Sequence, residues 1–322
     1  METKPKVLVV GAAGGIGGEL TRQLHDAGWM VQGMVRRLEQ PTQHRDGITW
    51  VRGDAMRAED VAWAAQGCEV IVHAVNPPGY RRWAELVLPM IDNTIAAARL
   101  AGATIVLPGT VYNYGPDAFP LLTETAPQHP VTRKGAIRAE MEARLHAYAA
   151  DGGKVLIVRA GDFFGPKAGN NWFSQGLITP GKTIKRIQNP AKAGVGHQWA
   201  YLPDVARNIV ALLVRRESLP AFATFHLGGH WDEDGTLMAQ TIRRVLQRHG
   251  TDAKVTAFPW WLIRLIAPFN TTLREMMEMR YLWRRPVRLD NSKLCAVQGR
   301  EWLTPLDEAV EATLRGLGCL PQ

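Results

Sequence analysis

Short apolar runs alternate with longer amphipathic stretches along the first half of the chain. The stretches between the runs have the spacing of helices that bury one face. Because strands that alternate with helices form parallel sheets with right-handed crossovers, this pattern predicts an α/β fold, a Rossmann-type doubly wound parallel sheet. Ligands of such sheets bind at the carboxyl ends of the strands. The predicted strands are 7–10, 30–35, 48–52, 70–73, 104–107 and 154–159, and the first predicted helices are 15–27, 58–66 and 81–102.

The first strand runs directly into a glycine-rich loop, where a doubly wound sheet binds dinucleotide phosphates. Gly11 allows the tight turn out of the strand, Gly14 exposes backbone to a pyrophosphate, and Gly17 permits close packing of the next helix. The positive end of that helix would face the phosphates. The predicted phosphate site consists of Gly11, Ala13, Gly14, Gly15, Ile16 and Gly17.

The second predicted strand ends in Arg36 and Arg37, without an acidic residue. In doubly wound folds this position lies beside the adenosine ribose, where a carboxylate selects NAD(H) and an arginine binds the 2′-phosphate of NADP(H). The sequence therefore predicts NADP(H) as the preferred cofactor, with NAD(H) as the alternative. Two solvated arginines at the start of a loop would be the structural alternative.

Residues that follow the later predicted strands extend this site. Asp54 and Ala55 follow the third strand, where the Asp54 carboxylate would accept a hydrogen bond from the adenine amino group or would close a turn. Small residues after the fourth strand would let the middle of the cofactor pass close to the backbone. The remaining predicted cofactor contacts are Ala74, Val75, Asn76, Pro108, Lys134, Ala160 and Phe163, of which the last two would face the nicotinamide.

These features occur together in one known family. The glycine loop, Gly53-Asp54, the turn at 74–76 and Val111-Tyr112 resemble the extended short-chain dehydrogenase/reductases, within them the NAD(P)-dependent epimerase/dehydratase group. Residues 159–166 and 199–206 match further motifs in the family's order, so the resemblance covers roughly the first two thirds of the chain. It implies the fold and a nicotinamide cofactor, and it leaves the substrate open.

The proton relay that the resemblance implies differs in this chain. The family uses a Tyr, a Lys four residues later, and a Ser or Thr that polarises the substrate oxygen. Lys134 stands at the Tyr position, Arg138 at the Lys position and Pro108 at the Ser/Thr position. All three catalytic positions therefore depart from the family pattern.

One interpretation is an enzyme with a rebuilt site. It would transfer hydride between NADP(H) and a carbonyl, alcohol or enone of a small, apolar-leaning molecule. Lys134 would be the acid–base group, and Arg138 would hold the ribose and phosphates of the cofactor. Thr110, Tyr112 or Tyr114 would orient the substrate oxygen. The NADPH-dependent phenylpropanoid reductases, which the chain resembles at this point, use a lysine in place of the tyrosine.

Two alternatives remain open. In the first alternative, catalysis has been lost and the protein is an NADP(H)-binding sensor or regulator. Otherwise it is a nucleotide-sugar epimerase or dehydratase, which we favour less because the Tyr on which those enzymes depend is missing. Hydride transfer is therefore the leading prediction.

The alternation of strands and helices fades after the sixth strand, where Pro and Gly punctuate the chain. We expect an NADP(H)-binding Rossmann domain over 1–168, to which 199–228 return, and a smaller C-terminal substrate-capping region formed by 169–198 and 229–322. Asp204 and Thr304 are predicted to cap the helices that begin at each of them.

Two features of the C-terminal third invite a functional interpretation. His226, His230 and Asp232 suggest a metal site. The Leu-Gly-Gly sequence between the two histidines does not indicate a helix that would bring them onto one face, so no metal is predicted. The aromatic and methionine-rich residues 258–283 are typical of core or of a subunit interface. Alternatively, they line an apolar substrate pocket.

Composition and charge narrow the class of protein. The 322 residues, 46% hydrophobic and 21% charged, are typical of a soluble α/β protein. The net charge of +8 suits an anionic cofactor, whereas no dense basic run interleaved with aromatics indicates nucleic-acid binding. Three widely spaced cysteines, no signal-peptide layout and no apolar segment of membrane-spanning length predict a cytoplasmic protein. The expected partner is a small-molecule substrate, and a homo-oligomer remains open.

Overall fold

A computed structural model describes residues 4–77, 82–169 and 171–321 of the chain, with only the backbone of 271 and 272. The strands are β1 (Lys6–Val10), β2 (Met30–Val35), β3 (Thr42–Arg45), β4 (Ile48–Arg52), β5 (Val70–His73), β6 (Thr104–Gly109), β7 (Leu121–Leu122), β8 (Lys154–Arg159), β9 (Asp162–Phe164), β10 (Arg186–Asn189), β11 (His197–Tyr201), β12 (Phe222–His226), β13 (His230–Asp232), β14 (Lys254–Ala257) and β15 (Arg288–Leu289). The helices are α1 (Gly15–Asp26), α2 (Ala58–Ala64), α3 (Trp83–Ala101), α4 (Arg133–Ala150), α5 (Leu202–Leu213), α6 (Leu237–Arg248), α7 (Trp260–Ile266), α8 (Thr271–Glu278), α9 (Ser292–Gln298) and α10 (Leu306–Gly316).

An eight-stranded sheet with the order β12-β8-β6-β5-β1-β2-β4-β3 forms the centre of the fold. Its neighbouring strands run parallel, except that β3 pairs antiparallel with β4. The strand order reverses at β1, between β2 and β5, which is the switch point where doubly wound sheets bind their ligands. The predicted Rossmann-type sheet is confirmed.

The two faces of the sheet carry separate hydrophobic cores. Val7 and Val9 of β1 pack in a core with residues of α1 and α5, whereas Leu8 and Val10 pack in a core with residues of α2, α3 and α4. Because successive side chains of a strand point to opposite faces, a strand covered on both sides is apolar throughout. This explains why the first predicted strand is an unbroken apolar run.

The edge strand β3 was missing from the predicted elements. Its residues are polar and partly or fully exposed, so they carry no apolar alternation. It forms a hairpin with β4 through Asp46 and Gly47, which both have positive φ, 52° and 72°. Asp-Gly between two strands is a hairpin signal that periodicity alone overlooks.

The predicted helix caps at Asp204 and Thr304 are wrong. α5 begins at Leu202, so Asp204 lies within its first turn, and α10 begins at Leu306 with Pro305 as its N-cap residue. The Asp204 carboxylate instead accepts hydrogen bonds from the N–H and the hydroxyl of Thr304, both at 2.7 Å. The two residues therefore join the segment that precedes α10 to α5.

The aromatic and methionine-rich residues 258–283 are divided between interior and surface. Phe258, Trp283 and Met279 are buried in cores outside the central sheet, whereas Trp261 and Phe269 are exposed. The predicted core role therefore holds for part of this segment, and another part of it lies on the surface.

Candidate functional site

A cleft of about 830 Å³ opens at the carboxyl ends of the strands around the switch point. We call it the cofactor cleft. Most of the predicted cofactor residues line it, namely Gly11, Ala13, Gly14, Gly15, Ile16, Arg36, Asp54, Ala55, Ala74, Val75, Asn76, Pro108 and Phe163. The structure therefore brings together residues that are up to 152 positions apart (Phe163 minus Gly11) in one concave site.

The glycine loop forms a bare backbone cradle at one end of the cleft. Gly11 has φ +87°, and a Cβ there would lie 2.9 Å from the carbonyl oxygen of Ala74. Gly14 is the N-cap residue of α1 and offers no side chain to the free N–H groups of the first turn. Unfilled N–H groups at the positive end of a helix bind phosphate, so the cradle fits a pyrophosphate.

Gly17 acts through packing and does not line the cleft. A Cβ on Gly17 would lie 2.2 Å from the carbonyl oxygen of Gly11, so only glycine lets α1 approach the loop this closely. This is the packing role that the sequence predicts for the residue. Its assignment as a direct cofactor contact is corrected.

The two predicted arginines differ in their relation to the cleft. Arg36 lines the cleft and Arg37 does not, which corrects the assignment of Arg37. Asp54 lines the cleft and also closes a turn, because its carboxylate accepts the N–H of Met56 at 3.0 Å. Among the cleft-lining residues that the structure describes, Asp54 is the one carboxylate.

Arg138, predicted to hold the ribose and phosphates, also lines the cofactor cleft. Its guanidinium donates to the side-chain oxygen of Asn76 at 3.4 Å and lies over the ring of Trp83, 5.1 Å from the centroid. An arginine stays charged at physiological pH, so it can bind an anion but cannot exchange a proton. Ala160 is 2% exposed in the core and does not line the cleft, which corrects its assignment.

His73 also lines the cofactor cleft, although the sequence analysis does not predict it. Its Nδ1 lies 2.8 Å from the hydroxyl oxygen of Thr94. Burial, with a smaller contribution from the positive charge of Arg138, lowers the pKa of His73 to about 3, so the imidazole is neutral near pH 7. The signal was present, because a polar residue ends the otherwise apolar strand β5 at its carboxyl end. Other cleft residues missing from the prediction include Arg82, Leu86, Asn171 and Leu202.

Lys134 is buried at the start of α4 and points toward α8. Its ammonium lies 2.8 Å from the carboxylate of Glu275 and 3.6 Å from that of Glu278. It also donates to the carbonyl oxygen of Glu275 at 2.9 Å. Because these groups hold the ammonium, it does not line the cofactor cleft, and its assignment as a cofactor contact is corrected. Its acid–base role stays a prediction.

A second, small cavity lies beside this ion pair. Tyr112, Glu275 and Gln175 line it, together with Met276 and Met279, and Asn171 lines both this cavity and the cofactor cleft. We call it the side cavity.

The other hydroxyl groups predicted to orient a substrate lie elsewhere. Thr110 lines neither cavity, and its hydroxyl oxygen accepts the N–H of Tyr112 at 3.5 Å. Tyr114 is fully buried, and burial raises the pKa of its phenol to about 12. Of the three predicted hydroxyl residues, Tyr112 is therefore the one that lines a cavity.

A buried ion pair connects β8 to α4 behind the site. The Arg159 guanidinium pairs with the Glu142 carboxylate through two nitrogens, with its Nε at 3.2 Å, and its Nη1 lies 3.2 Å from Nε2 of His226. Arg159 is 2% and Glu142 5% exposed. Because both charges are buried, loss of either would leave the other without a counter-ion at a high cost in free energy. The pair therefore stabilises the fold at the motif that begins at Arg159.

The residues that suggested a metal site have separate roles. Nδ1 of His226 donates to the carbonyl oxygen of Leu122 at 3.1 Å. The Asp232 carboxylate accepts the N–H groups of Leu237 and Met238 at the start of α6. Within the described parts of the chain, no group of three or more His, Cys, Asp or Glu is arranged to hold a metal ion.

His230 should make the protein less stable in acid. Burial lowers its pKa to about 4, and its Nε2 has no hydrogen-bond partner among the described residues. Below pH about 6.5 the His230 side chain becomes protonated in the unfolded chain but stays neutral in the folded chain. The free energy of unfolding therefore falls as the pH drops toward about 4, by up to roughly 1.4 kcal/mol per pH unit. We expect His230→Gln to reduce this slope in urea unfolding, and exposed His44→Gln to leave it unchanged. Equal slopes for wild type and His230→Gln would contradict the assignment.

The comparisons with known proteins agree with this geometry. The model of the NAD dependent epimerase/dehydratase family matches residues 7–228. The fold is similar to that of MoeE5 in complex with UDP-glucose and NAD, at 18% identity and TM-score 0.71, over 97% of this chain and 98% of that one. It is also similar to a UDP-galactose 4-epimerase, at 19% identity and TM-score 0.69, over 98% of both chains.

A third similar structure is the UDP-glucuronic acid 4-epimerase from Bacillus cereus in complex with UDP-glucuronic acid and NAD, at 16% identity and TM-score 0.72, over 97% of this chain and 98% of that one. A search of curated proteins found no match. The family match covers the glycine loop, the cleft-lining strand ends and the segment of Lys134 and Arg138. The chain therefore belongs to the NAD-dependent epimerase/dehydratase family, a family of enzymes that use a nicotinamide cofactor.

Proposed function

We propose that the protein binds NADP(H) in the cofactor cleft and transfers a hydride to or from a carbon of a small molecule. The observation that carries this proposal is the continuity of the cleft, which runs from the bare glycine cradle to Asn76, Arg138 and Phe163. When bound, the cofactor supplies the hydride chemistry, and the protein supplies binding and orientation. The part of the cofactor cleft beside Asn171 is the proposed place for the substrate, and the side cavity of about 20 Å³, which shares Asn171 with the cleft, has room for about one water molecule next to it.

The preference for NADP(H) rests on Arg36. Its side chain lines the cleft directly after β2, and no carboxylate follows that strand end among the residues that line the cleft. A 2′-phosphate would gain a charge-assisted hydrogen bond there, whereas a 2′-hydroxyl would gain little. Two of the similar structures contain NAD, which makes NAD(H) the alternative.

Replacing Arg36 separates the two cofactors. We expect Arg36→Ala to weaken NADPH binding by about 2 kcal/mol, the size of a hydrogen bond to a charged group, and to change NADH binding little. Fluorescence titration with both cofactors measures the difference. Arg37→Ala is the matched control, since its side chain does not line the cleft. Equal losses for NADPH and NADH would contradict the 2′-phosphate assignment.

We assign proton transfer to Lys134 together with Glu275. The Lys134 side chain is buried, and its partner Glu275 is partly exposed and belongs to the lining of the side cavity. A proton could move between the substrate oxygen and this pair, while Tyr112 from the same cavity holds the oxygen. Arg138 would bind the cofactor near Asn76 and would take no part in proton exchange.

The assay follows NADPH consumption over aldehydes, ketones, quinones and enones. Turnover by the wild type should fall by roughly a hundredfold or more in Lys134→Met and in Glu275→Gln, with the NADPH dissociation constant retained. Glu140→Gln, which removes an exposed carboxylate from the same helix as Lys134, is the matched control. Melting curves of each variant separate lost chemistry from lost folding. Cofactor binding without turnover of any compound would favour the sensor alternative.

A second candidate is a nucleotide-sugar epimerase or dehydratase. It is favoured by the family match and by similar structures whose names include UDP-sugar 4-epimerases. Epimerisation returns the hydride to the substrate, so it consumes no cofactor overall. Incubation with UDP-sugars and analysis of the sugar products distinguishes this activity from net reduction.

A further inference from the structure

Helix α7 and the turn that follows it expose a row of large apolar side chains. Trp261 is 69%, Leu265 63% and Phe269 90% exposed, and Leu262 and Ile266 are also exposed. These positions recur at helical spacing, so they form one continuous face. Scattered exposed apolar residues are ordinary, whereas a contiguous patch marks a surface that another apolar body covers. We call this the α7 face.

The opposite side of α7 anchors the helix to the protein. Trp260 and Ile263 pack against the hydrophobic core of the C-terminal region. The indole N–H of Trp260 also donates to the carbonyl oxygen of Pro190 at 2.9 Å. The exposed residues are therefore displayed by a helix held in place on its other side.

Arginines lie on α7 and against its anchored side. The guanidinium of Arg280 lies over the ring of Trp260, 5.0 Å from its centroid, and Arg264 follows Trp260 by one helical turn. Arg264 and Arg284 lie close enough to Arg280 for their charges to lower its pKa, after the larger effect of burial. Among the described residues, no carboxylate forms an ion pair with any of these three. We call them the arginine cluster.

An apolar face next to unpaired arginines matches an anionic lipid surface. Trp, Phe and Leu side chains enter the boundary between headgroups and acyl chains, and arginines pair with the phosphates. A second copy of the chain fits less well, because a two-fold contact through this face would bring two arginine clusters together. No helix among the described residues has the length and apolarity to cross a bilayer, so the contact would lie at the membrane surface.

We propose that the α7 face and the arginine cluster dock the protein reversibly onto anionic membrane surfaces. This contact is independent of the proposed hydride transfer. The side cavity opens beside the same segment, since α8 contributes Glu275 and Met276 to its lining. Docking would therefore place the proposed substrate site close to the bilayer.

Vesicle sedimentation with the full chain tests the proposal. The wild type should bind mixed phosphatidylcholine/phosphatidylglycerol vesicles and should not bind pure phosphatidylcholine vesicles. The triple variant Trp261→Gln, Leu265→Gln, Phe269→Gln should bind at least about tenfold more weakly. Each substitution Arg264→Gln or Arg284→Gln should weaken binding by about fivefold. Leu100→Gln, which removes an exposed leucine from α3, is the matched control and should bind like the wild type.

Three results would overturn the proposal. The first is a wild type that fails to bind the anionic vesicles, and the second is a triple variant that binds them equally well. The third is a wild-type dimer in light scattering that the triple variant converts to a monomer without any vesicle binding, which would assign the face to a second copy. Because the substituted side chains are exposed, unfolding curves of all variants should coincide with that of the wild type.

Discussion

Gly17→Ala should lower dinucleotide affinity by roughly a hundredfold, equivalent to about 2.7 kcal/mol. A methyl group at this position would lie 2.2 Å from the carbonyl oxygen of Gly11, so α1 and the glycine loop would have to separate. Separation moves the N–H groups of the first turn of α1 away from the cradle that would bind the pyrophosphate. The same strain should cost about 1–3 kcal/mol of folding stability.

The adjacent glycine is a sharp control for this effect. A Cβ on Gly18 would lie 3.3 Å from the carbonyl oxygen of Ala12, a contact that a small adjustment relieves. Alanine also favours a helix by about 1 kcal/mol over glycine, so Gly18→Ala should fold and bind nearly as the wild type does. Titration of both variants with NADPH decides the matter. Unchanged affinity in Gly17→Ala would mean that the glycine loop is not the dinucleotide site.

Glu142→Gln should destabilise the protein by about 3–5 kcal/mol, because it leaves the Arg159 charge buried without its counter-ion. His226, whose Nε2 lies 3.2 Å from Nη1 of Arg159, offers no negative charge, since burial and the charge of Arg159 lower its pKa to about 3 and hold it neutral. Tyr114 adds only its ring face, 5.3 Å from the guanidinium carbon. Urea unfolding measures the loss.

The double variant Arg159→Met, Glu142→Leu tests the cause. With both charges gone, most of the lost stability should return, because apolar side chains of similar volume can replace a buried ion pair. Arg144→Gln removes a partly exposed arginine of the same helix, which pairs with Glu140 at 2.8 Å and with Asp92 at 2.5 Å near the surface, and should cost about 1 kcal/mol or less. A Glu142→Gln variant as stable as the wild type would show that the pair carries little of the fold's stability.

The nucleotide side of the fold could be predicted because its signals are local. An apolar run that leads into Gly11, Gly14 and Gly17 has few structural solutions, and the close contact that Gly17 permits, with the carbonyl oxygen of Gly11, lies within one βα unit. The hairpin at Asp46-Gly47 also has a local signal, because Asp-Gly between two strands is typical of a two-residue hairpin turn. Of Arg36 and Arg37, only one could face the cleft, because adjacent side chains at a strand end diverge.

The catalytic side could not be predicted from local patterns. The segment that begins at Thr132 correctly placed Lys134 at the start of a helix, whose N-cap is the Thr132 side chain. The direction of the Lys134 side chain is set by Glu275 and Glu278 on α8, which no local spacing connects to it. The bond between Asp204 and Thr304 is of the same kind, since each residue looked like a cap in its own segment.

The most direct test of the account follows the hydride itself. The protein is incubated with NADPH that carries deuterium at both C4 positions of the nicotinamide, together with carbonyl compounds and enones, and the products are analysed by mass spectrometry and NMR. The account predicts deuterium on a carbon of a reduced product, and loss of this labelling in Lys134→Met despite retained NADPH binding. Tight NADPH binding with no deuterium in any product would contradict hydride transfer and leave a protein that only binds the cofactor.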